Sequence, residues 1–350
     1  MKEHMRKVFR DKFVKLFAKA VSTPAVRYQI NKMIAVSLDQ NKRTKLKNFR
    51  SPYIHEGFSK TGSKSTQSQP IFITGRFRSG STLLWQLFRN MNDTTAFYEP
   101  LNERRWFLPS RGSKVDISHI GVEDYWSEYK NMEHLELFYK EDWIRYSLYM
   151  DEFHFDFQLK EYLNALINSA MGRAVLQLNR VDFRLPWLRH NFPTALVLHI
   201  YRNPRNQWCS VLGKEHTYGC FDPQENFTDR FYLNLWVRDL VKQFPFLADF
   251  DGKHRYYHFY LLWKLSFIFG INNADLSISL EELTSDPEKS LNEIYQFLGK
   301  PDHFSIKDLK PIIRGDIGSQ WQYYATDEWF SRIELECEAV LDEYFLKKDA

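Results

Sequence analysis

In FITGRFRSGSTLLWQLF (residues 72–88) an apolar run meets Gly75, Gly80 follows after four residues, and an amphipathic segment comes next. Strand, glycine turn and helix start, in that order, direct backbone N–H groups and the positive end of a helix at an anion. The spacing is that of G-x-x-x-x-G-K-[ST], in which the lysine reaches the β- and γ-phosphates and the hydroxyl holds magnesium. Here Ser81 stands at the lysine position, Thr82 at the hydroxyl, and the cationic side chain, Arg78, comes earlier. The cradle is kept and the triphosphate lysine is gone.

A second stretch, LVLHIYRNPRNQWCSVLG (196–213), ends an apolar run at Tyr201 and sets Arg202 before Asn203-Pro204, with Ser210 eight residues on. Proline in a first turn starts a helix favourably. An arginine at the carboxyl end of a parallel strand lies in the ligand crevice of an open α/β sheet. Taken alone, Arg202 reads more often as a surface arginine. A third stretch, RGDIGSQW (314–321), puts an arginine before a glycine-containing turn, where backbone can approach a ligand closely.

Together these stretches resemble the sulfotransferase family, which transfers a sulfuryl group from 3′-phosphoadenosine 5′-phosphosulfate (PAPS). GRFRSGSTLL is similar to the family's 5′-phosphosulfate loop, YRNPRNQWCS to its 3′-phosphate segment, and ISLEELTSDPEKSLNEIYQFLG to its late strand and helix. RGDIGSQW resembles the C-terminal loop of cytosolic members without its lysine. The resemblance spans about residues 70–325. It implies that PAPS is held by Arg78, Ser79, Gly80, Ser81, Thr82 and Leu83 at the 5′ end, and by Arg202, Ser210, Arg314 and Gly315 at the 3′-phosphate. PAPS has no β- or γ-phosphate and needs no metal, which accounts for the missing lysine. Arginine suits both ends, since its planar fork pairs with phosphate oxygens bidentately.

Arg-Ser-Gly-Ser-Thr-Leu is like the tyrosylprotein, carbohydrate and small bacterial members, which place a glutamate on the next short strand. That residue is Glu99 in FYEP, with Glu103 as its rival for the role of base; a plain ion pair with Arg104 or Arg105 is the structural alternative. Arg180, at the end of LQLNR, stands where tyrosylprotein members carry a lysine near the leaving oxygen. The resemblance implies catalytic roles for Glu99, Arg78 and Arg180, and a hydroxyl acceptor, of which a carbohydrate or glycolipid is the leading class. A P-loop kinase and a non-catalytic adenosine-bisphosphate-binding protein are the competing readings. His199, His216 and His258 read as packed or exposed, and no cluster has metal spacing.

The elements that must position these residues are strands at 71–74, 96–100, 174–179, 195–201 and 276–283, alternating with helices at 80–91, about 228–243, 255–270 and 286–299. Asp286, Pro287 and Gly299 mark the last helix as cap, first position and stop. Alternation predicts a P-loop-like α/β domain with a mainly parallel sheet covered on both faces. Residues 121–170 have helical spacing, and Trp126, Tyr129, Trp143 and Tyr146 there read either as core or as rings lining an acceptor cleft.

Charge is uneven along the chain. Residues 1–50 carry a net +11 and the remainder −7, which disfavours a general nucleic-acid surface. The sequence divides into a basic, helical arm (1–58), a polar linker (59–70) and the catalytic domain (71–350), with the arm available for packing or for peripheral contact with an anionic membrane. Three cysteines at unrelated spacings make no disulfide framework or metal quartet. No run reaches the ~18–20 apolar residues of a membrane span, and the N-terminus has no apolar signal core. These features predict a cytoplasmic protein.

Overall fold

The computed structural model describes residues 53, 69–108, 114–116, 119–212, 229–249, 252–299, 312–313 and 320–346. Apart from Tyr53, the basic arm lies outside the described residues, as do most of the linker, Arg314, Gly315 and His216.

The strands are β1 (Ile71–Thr74), β2 (Thr94–Phe97), β3 (Arg173–Leu178), β4 (Leu196–Tyr201) and β5 (Leu276–Ser279). The main helices are α1 (Ser81–Arg89), α2 (Phe157–Ser169), α3 (Leu185–Asn191), α4 (Pro204–Leu212), α5 (Leu233–Leu240), α6 (Arg255–Asn273), α7 (Leu280–Ser285), α8 (Pro287–Leu298), α9 (Trp321–Tyr324) and α10 (Asp327–Leu346). The strands form one sheet in the order β2-β3-β1-β4-β5, with every pair parallel. Thr74 pairs with Leu178 on one side and His199 on the other, so β1 ends in the middle of the sheet. Strands β1, β3, β4 and β5 are buried at every position, as expected of parallel strands enclosed by helices.

The longest central helix, α6, is buried continuously from Tyr256 to Gly270. A helix apolar on all sides belongs in a core. It packs on β4 and β5, and α10 packs on it. Its one buried lysine is neutralised from α10: Lys264 Nζ lies 2.8 Å from both carboxylate oxygens of Glu338, which also accepts the Tyr260 hydroxyl at 2.6 Å. His199 is core, 2% exposed and lying against Gly270, where a Cβ would come within 2.4 Å of the imidazole. Burial drives it down to about 3. His258 is also buried, with Nε2 on the Asp249 carbonyl at 2.8 Å.

Two expected elements differ. The run LSISLEEL is strand only to Ser279, whose hydroxyl accepts the Glu282 N–H and starts α7. Residues 121–156 contain short 3-10 turns at Ser127–Tyr129, Glu133–Leu137 and Glu141–Ile144, and the α-helix begins only at Phe157. Asn131 and Ser147, at φ 64° and 51°, interrupt any continuous helix there. Tyr129 and Trp143 are core residues, as the bland reading of this region had it.

Candidate active site

A parallel sheet presents all its carboxyl ends on one edge, and the ligand crevice forms there. In this molecule that edge holds the residues singled out from the sequence. From the loop after β1 come Phe77, Arg78 and Gly80, with Ser79 buried behind them, from β2 Glu99, from β3 Asn179 and Arg180, and from β4 Arg202, with Ser210 on α4. All but Ser79 line one cleft of about 750 Å³ together with Ser81, Thr82, Leu83, Asn102 and Glu103.

The loop is tightly built. A Cβ at Gly75 would meet the Ile200 carbonyl at 2.4 Å and Ser79 Oγ at 2.6 Å. Gly80 has φ 96° and would strike Leu280 at 2.5 Å if it carried a side chain. Arg78, though not glycine, sits at φ 68°. No side chain caps α1; the Leu83 N–H turns back to the Gly80 carbonyl at 2.9 Å, while the N–H groups of Ser81 and Thr82, which have no acceptor within the helix, are available to an anion. Ser79 is 1% exposed, and its hydroxyl has no partner among the described residues.

Arg78 and Ser210 belong to one arrangement: Arg78 Nε donates to Ser210 Oγ at 3.0 Å, and Arg202 Nη1 donates to the Arg78 carbonyl at 3.2 Å. The Trp263 indole N–H holds the Arg202 carbonyl at 2.9 Å. Burial lowers Arg202 from its usual range while Glu281 opposes the shift, and its Nε is buried without a partner among the described residues.

Glu99 is 9% exposed and has φ 37°, a region costly for a residue with a Cβ. Its carboxylate is neither solvated nor paired with Arg104 or Arg105; Arg105 goes to Glu136 and Glu141. Glu99 Oε1 accepts from Asn179 at 2.5 Å, and Oε2 accepts from Arg180 at 3.0 Å and from Asn102. Its backbone N–H donates to Gln177 Oε1 at 3.1 Å, and Gln177 in turn donates to Ser81 Oγ at 2.9 Å. A carboxylate has about four lone-pair directions. Three are used, and the one that remains is on Oε1.

Arg180, 4% exposed, divides its fork: one nitrogen to Glu99 and the other to Glu103 at 3.1 Å. It lies over the Phe77 ring at 5.1 Å, and its Nε has no partner among the described residues. Burial works against its charge, but the two glutamates outweigh that and raise it. Glu103 also accepts the Tyr232 hydroxyl at 2.6 Å. Burial pushes Glu103 up, and the Arg180 charge and the Tyr232 hydrogen bond more than offset this, leaving it below the usual carboxylate range.

The sequence reading missed the residues that hold Glu99, namely Asn102, Asn179 and Gln177, and also His119 and Tyr125, which line the same cleft. Side-chain amides and a lone loop histidine leave no periodic signature. Trp126 and Tyr146 are exposed, Tyr129 and Trp143 are buried, and none of the four lines the cleft.

Residues 70–304 match the family model described as "Sulfotransferase family". No curated protein matches the chain. Three solved structures are similar at low identity. A sulfotransferase from Alicyclobacillus acidocaldarius is 16% identical over 80% of this chain and 96% of its own, with a TM-score of 0.38. The sulfotransferase STF9 from Mycobacterium avium is 15% identical over 78% and 76%, at 0.41. The sulfotransferase domain from the curacin biosynthetic pathway is 16% identical over 81% and 92%, at 0.39.

Proposed function

This chain belongs to the sulfotransferase family, and we propose that it moves the sulfuryl group of PAPS to an acceptor hydroxyl on a carbohydrate or glycolipid, with Glu99 as the base. The observation that carries this reading is the convergence of Glu99, Arg180, Arg78, Arg202 and Ser210 on one cleft at the strand ends. The donor set fits PAPS. Arg202 and Arg180 each retain a buried Nε without a partner among the described residues, and α1 has no capping side chain. The 5′-phosphosulfate belongs to the loop 78–83 and the 3′-phosphate to Arg202 and Ser210, with Arg314 and Gly315 assigned to the same end from the sequence.

Glu99 is a positioned base. Its free lone pair on Oε1 takes the acceptor proton while three donors fix the carboxylate plane. When Glu99 gains a proton, Arg180 keeps Glu103 as counter-charge, so no buried cation is left uncompensated. Arg180 and Arg78 then oppose the negative charge on the sulfuryl oxygens and the departing phosphate. Most of the rate comes from positioning and preorganised charge. Glu103 and Asn102 offer polar groups to sugar hydroxyls, and Trp106, Phe231 and Tyr232 offer ring faces along the same cleft.

The test is calorimetry with adenosine 3′,5′-bisphosphate, AMP and ATP, with and without magnesium. The bisphosphate is expected to bind best and without metal, and Arg202→Ala to cost about 1.5–3 kcal/mol of that affinity. Equal affinity for AMP would remove the 3′-phosphate site. Magnesium-dependent ATP turnover would favour a kinase, and bisphosphate binding with no transfer to any acceptor would leave a binding protein.

A further inference from the structure

Residues 119–125 lie against the second half of α1: Gln86 donates to the Ile120 carbonyl at 3.2 Å and Arg89 to the Asp124 carbonyl at 2.6 Å. His119 lies in this segment and lines the cleft. Its ring meets Tyr98 at 6.3 Å and Tyr125 at 5.8 Å. Tyr98 precedes Glu99 in the chain, and its hydroxyl lies 3.4 Å from Thr82 Oγ1 in the first turn of α1. Three residues before His119, Asp116 reaches Arg78 at 3.8 Å. The imidazole therefore lies in the same cleft as the anion loop and Glu99, against the tyrosine that precedes Glu99 and close enough to feel the charges of Arg78 and Glu99.

Its tautomer follows from the hydrogen bonds. The Tyr125 hydroxyl, 3% exposed at the residue level, accepts the Asp116 backbone N–H at 2.9 Å and meets His119 Nδ1 at 2.5 Å. No other acceptor is within its reach among the described residues, so its own proton goes to Nδ1. Nδ1 is then an acceptor and the ring proton sits on Nε2. Nε2 makes no hydrogen bond among the described residues and is not sealed from solvent.

Resting on the functional reading above, we propose that His119 is a further catalytic residue: a neutral imidazole whose Nε2–H donates to the sulfuryl end of PAPS. Protonating it would turn Nδ1 into a second donor against the Tyr125 oxygen and leave the buried tyrosine proton without an acceptor. The groups facing the ring are Arg78 from the loop, Asp116 and Tyr125 from its own segment, and Tyr98 and Glu99 from the end of β2. Burial, the leading influence, and Arg78 lower the imidazole, while Asp116 and Glu99 oppose them, and the net direction is down.

PAPS and adenosine 3′,5′-bisphosphate differ by the sulfuryl group, so their affinities separate this contact from the rest of the site. His119→Ala is expected to weaken PAPS about tenfold or more, as for a hydrogen bond to a charged group, with the bisphosphate changed less than threefold. His119→Gln, whose amide N–H can replace Nε2–H, is expected to recover part of the loss. Imidazole ¹⁵N shifts of the wild type should report Nε2–H and an unprotonated Nδ1 at neutral pH. In Tyr125→Phe the ring should titrate, and PAPS affinity should rise as pH falls. Equal weakening of both ligands in His119→Ala, weakening of neither, or a wild-type Nδ1–H tautomer would each overturn the proposal. A wild type that binds neither ligand would instead remove the PAPS reading and this inference with it.

Discussion

Replacing Glu99 by glutamine tests the base directly, and the structure sets the size of two separate effects. Glutamine keeps the shape but offers one oxygen and one NH₂ where the carboxylate offered two acceptors. With the amide oxygen in the Oε2 place, the bonds from Arg180 and Asn102 survive and the NH₂ faces the Asn179 amide nitrogen, donor against donor. Turning Asn179 over relieves that contact but gives up its 2.7 Å bond from Arg180. Either way one buried donor loses its acceptor, worth about 1–3 kcal/mol. Glu103 remains opposite Arg180, so the larger loss from a fully broken buried pair, about 3–5 kcal/mol, is not expected. Turnover should fall about 10²–10⁴-fold, the worth of a positioned general base. Adenosine 3′,5′-bisphosphate affinity should move less than threefold, because no assigned nucleotide contact is touched. The assay is kcat at saturating PAPS and acceptor, with urea unfolding to confirm the folded state. Glu103→Gln, which also disturbs Arg180 and Tyr232, should cost under tenfold. A folded Glu99→Gln enzyme turning over within tenfold of wild type would refute the assignment, and a collapse in Glu103→Gln instead would move the base four residues on.

Asp182, buried behind the loop beside Arg76, is pushed up to about 6 by burial, with Arg76 pulling the other way. Between its ordinary value near 3.8 and about 6, the folded state holds a proton that the unfolded state has released. The contribution of this carboxyl is therefore fully present at low pH and is lost as pH rises through 6. Comparing wild type with Asp182→Asn, the difference in unfolding free energy should shift by roughly 2.4 kcal/mol against wild type between pH 4 and 7; a difference independent of pH would contradict it. Deleting residues 1–50, with their net +11, should leave bisphosphate affinity within twofold and reduce sedimentation with anionic vesicles, since each basic residue near such a surface contributes about 1 kcal/mol at best. Unchanged sedimentation would leave the arm a packing role only.

The strands were legible because a buried parallel strand is an unbroken apolar run, and IFIT, AVLQLN and ALVLHIY are such runs ending at chemistry-bearing residues. Helix α8 was legible because its cap, first-turn proline and stop are local: Asp286 accepts the Lys289 N–H, and Gly299 closes the helix at φ 70°. The break at Ser279 was missed: Ser-x-x-Glu is a helix-start signature, but the apolar alternation before it read as a strand continuing to residue 283. Residues 121–156 misled for a different reason. Apolar spacing there matches a helix, yet 3-10 turns bury the same side chains, and only Asn131 and Ser147 in left-handed conformations distinguish the two.

The candidate-site residues divide along the same line. Arg78, Arg202 and Glu99 follow strand ends, so the sequence places them on one edge once the sheet is parallel. Whether Glu99 can act depends on partners that no local pattern announces. Asn102 comes from the turn after it, Asn179 and Arg180 from a strand 80 residues away, and Gln177 ties its backbone to Ser81 at the mouth of the anion loop. That last link joins the two halves of the proposed chemistry. The residue standing where a triphosphate loop has its lysine receives Gln177, and Gln177 holds the main chain of Glu99, the proposed base. On the proposed function, the position of the missing lysine couples the cradle assigned to the donor with the carboxylate assigned to the acceptor.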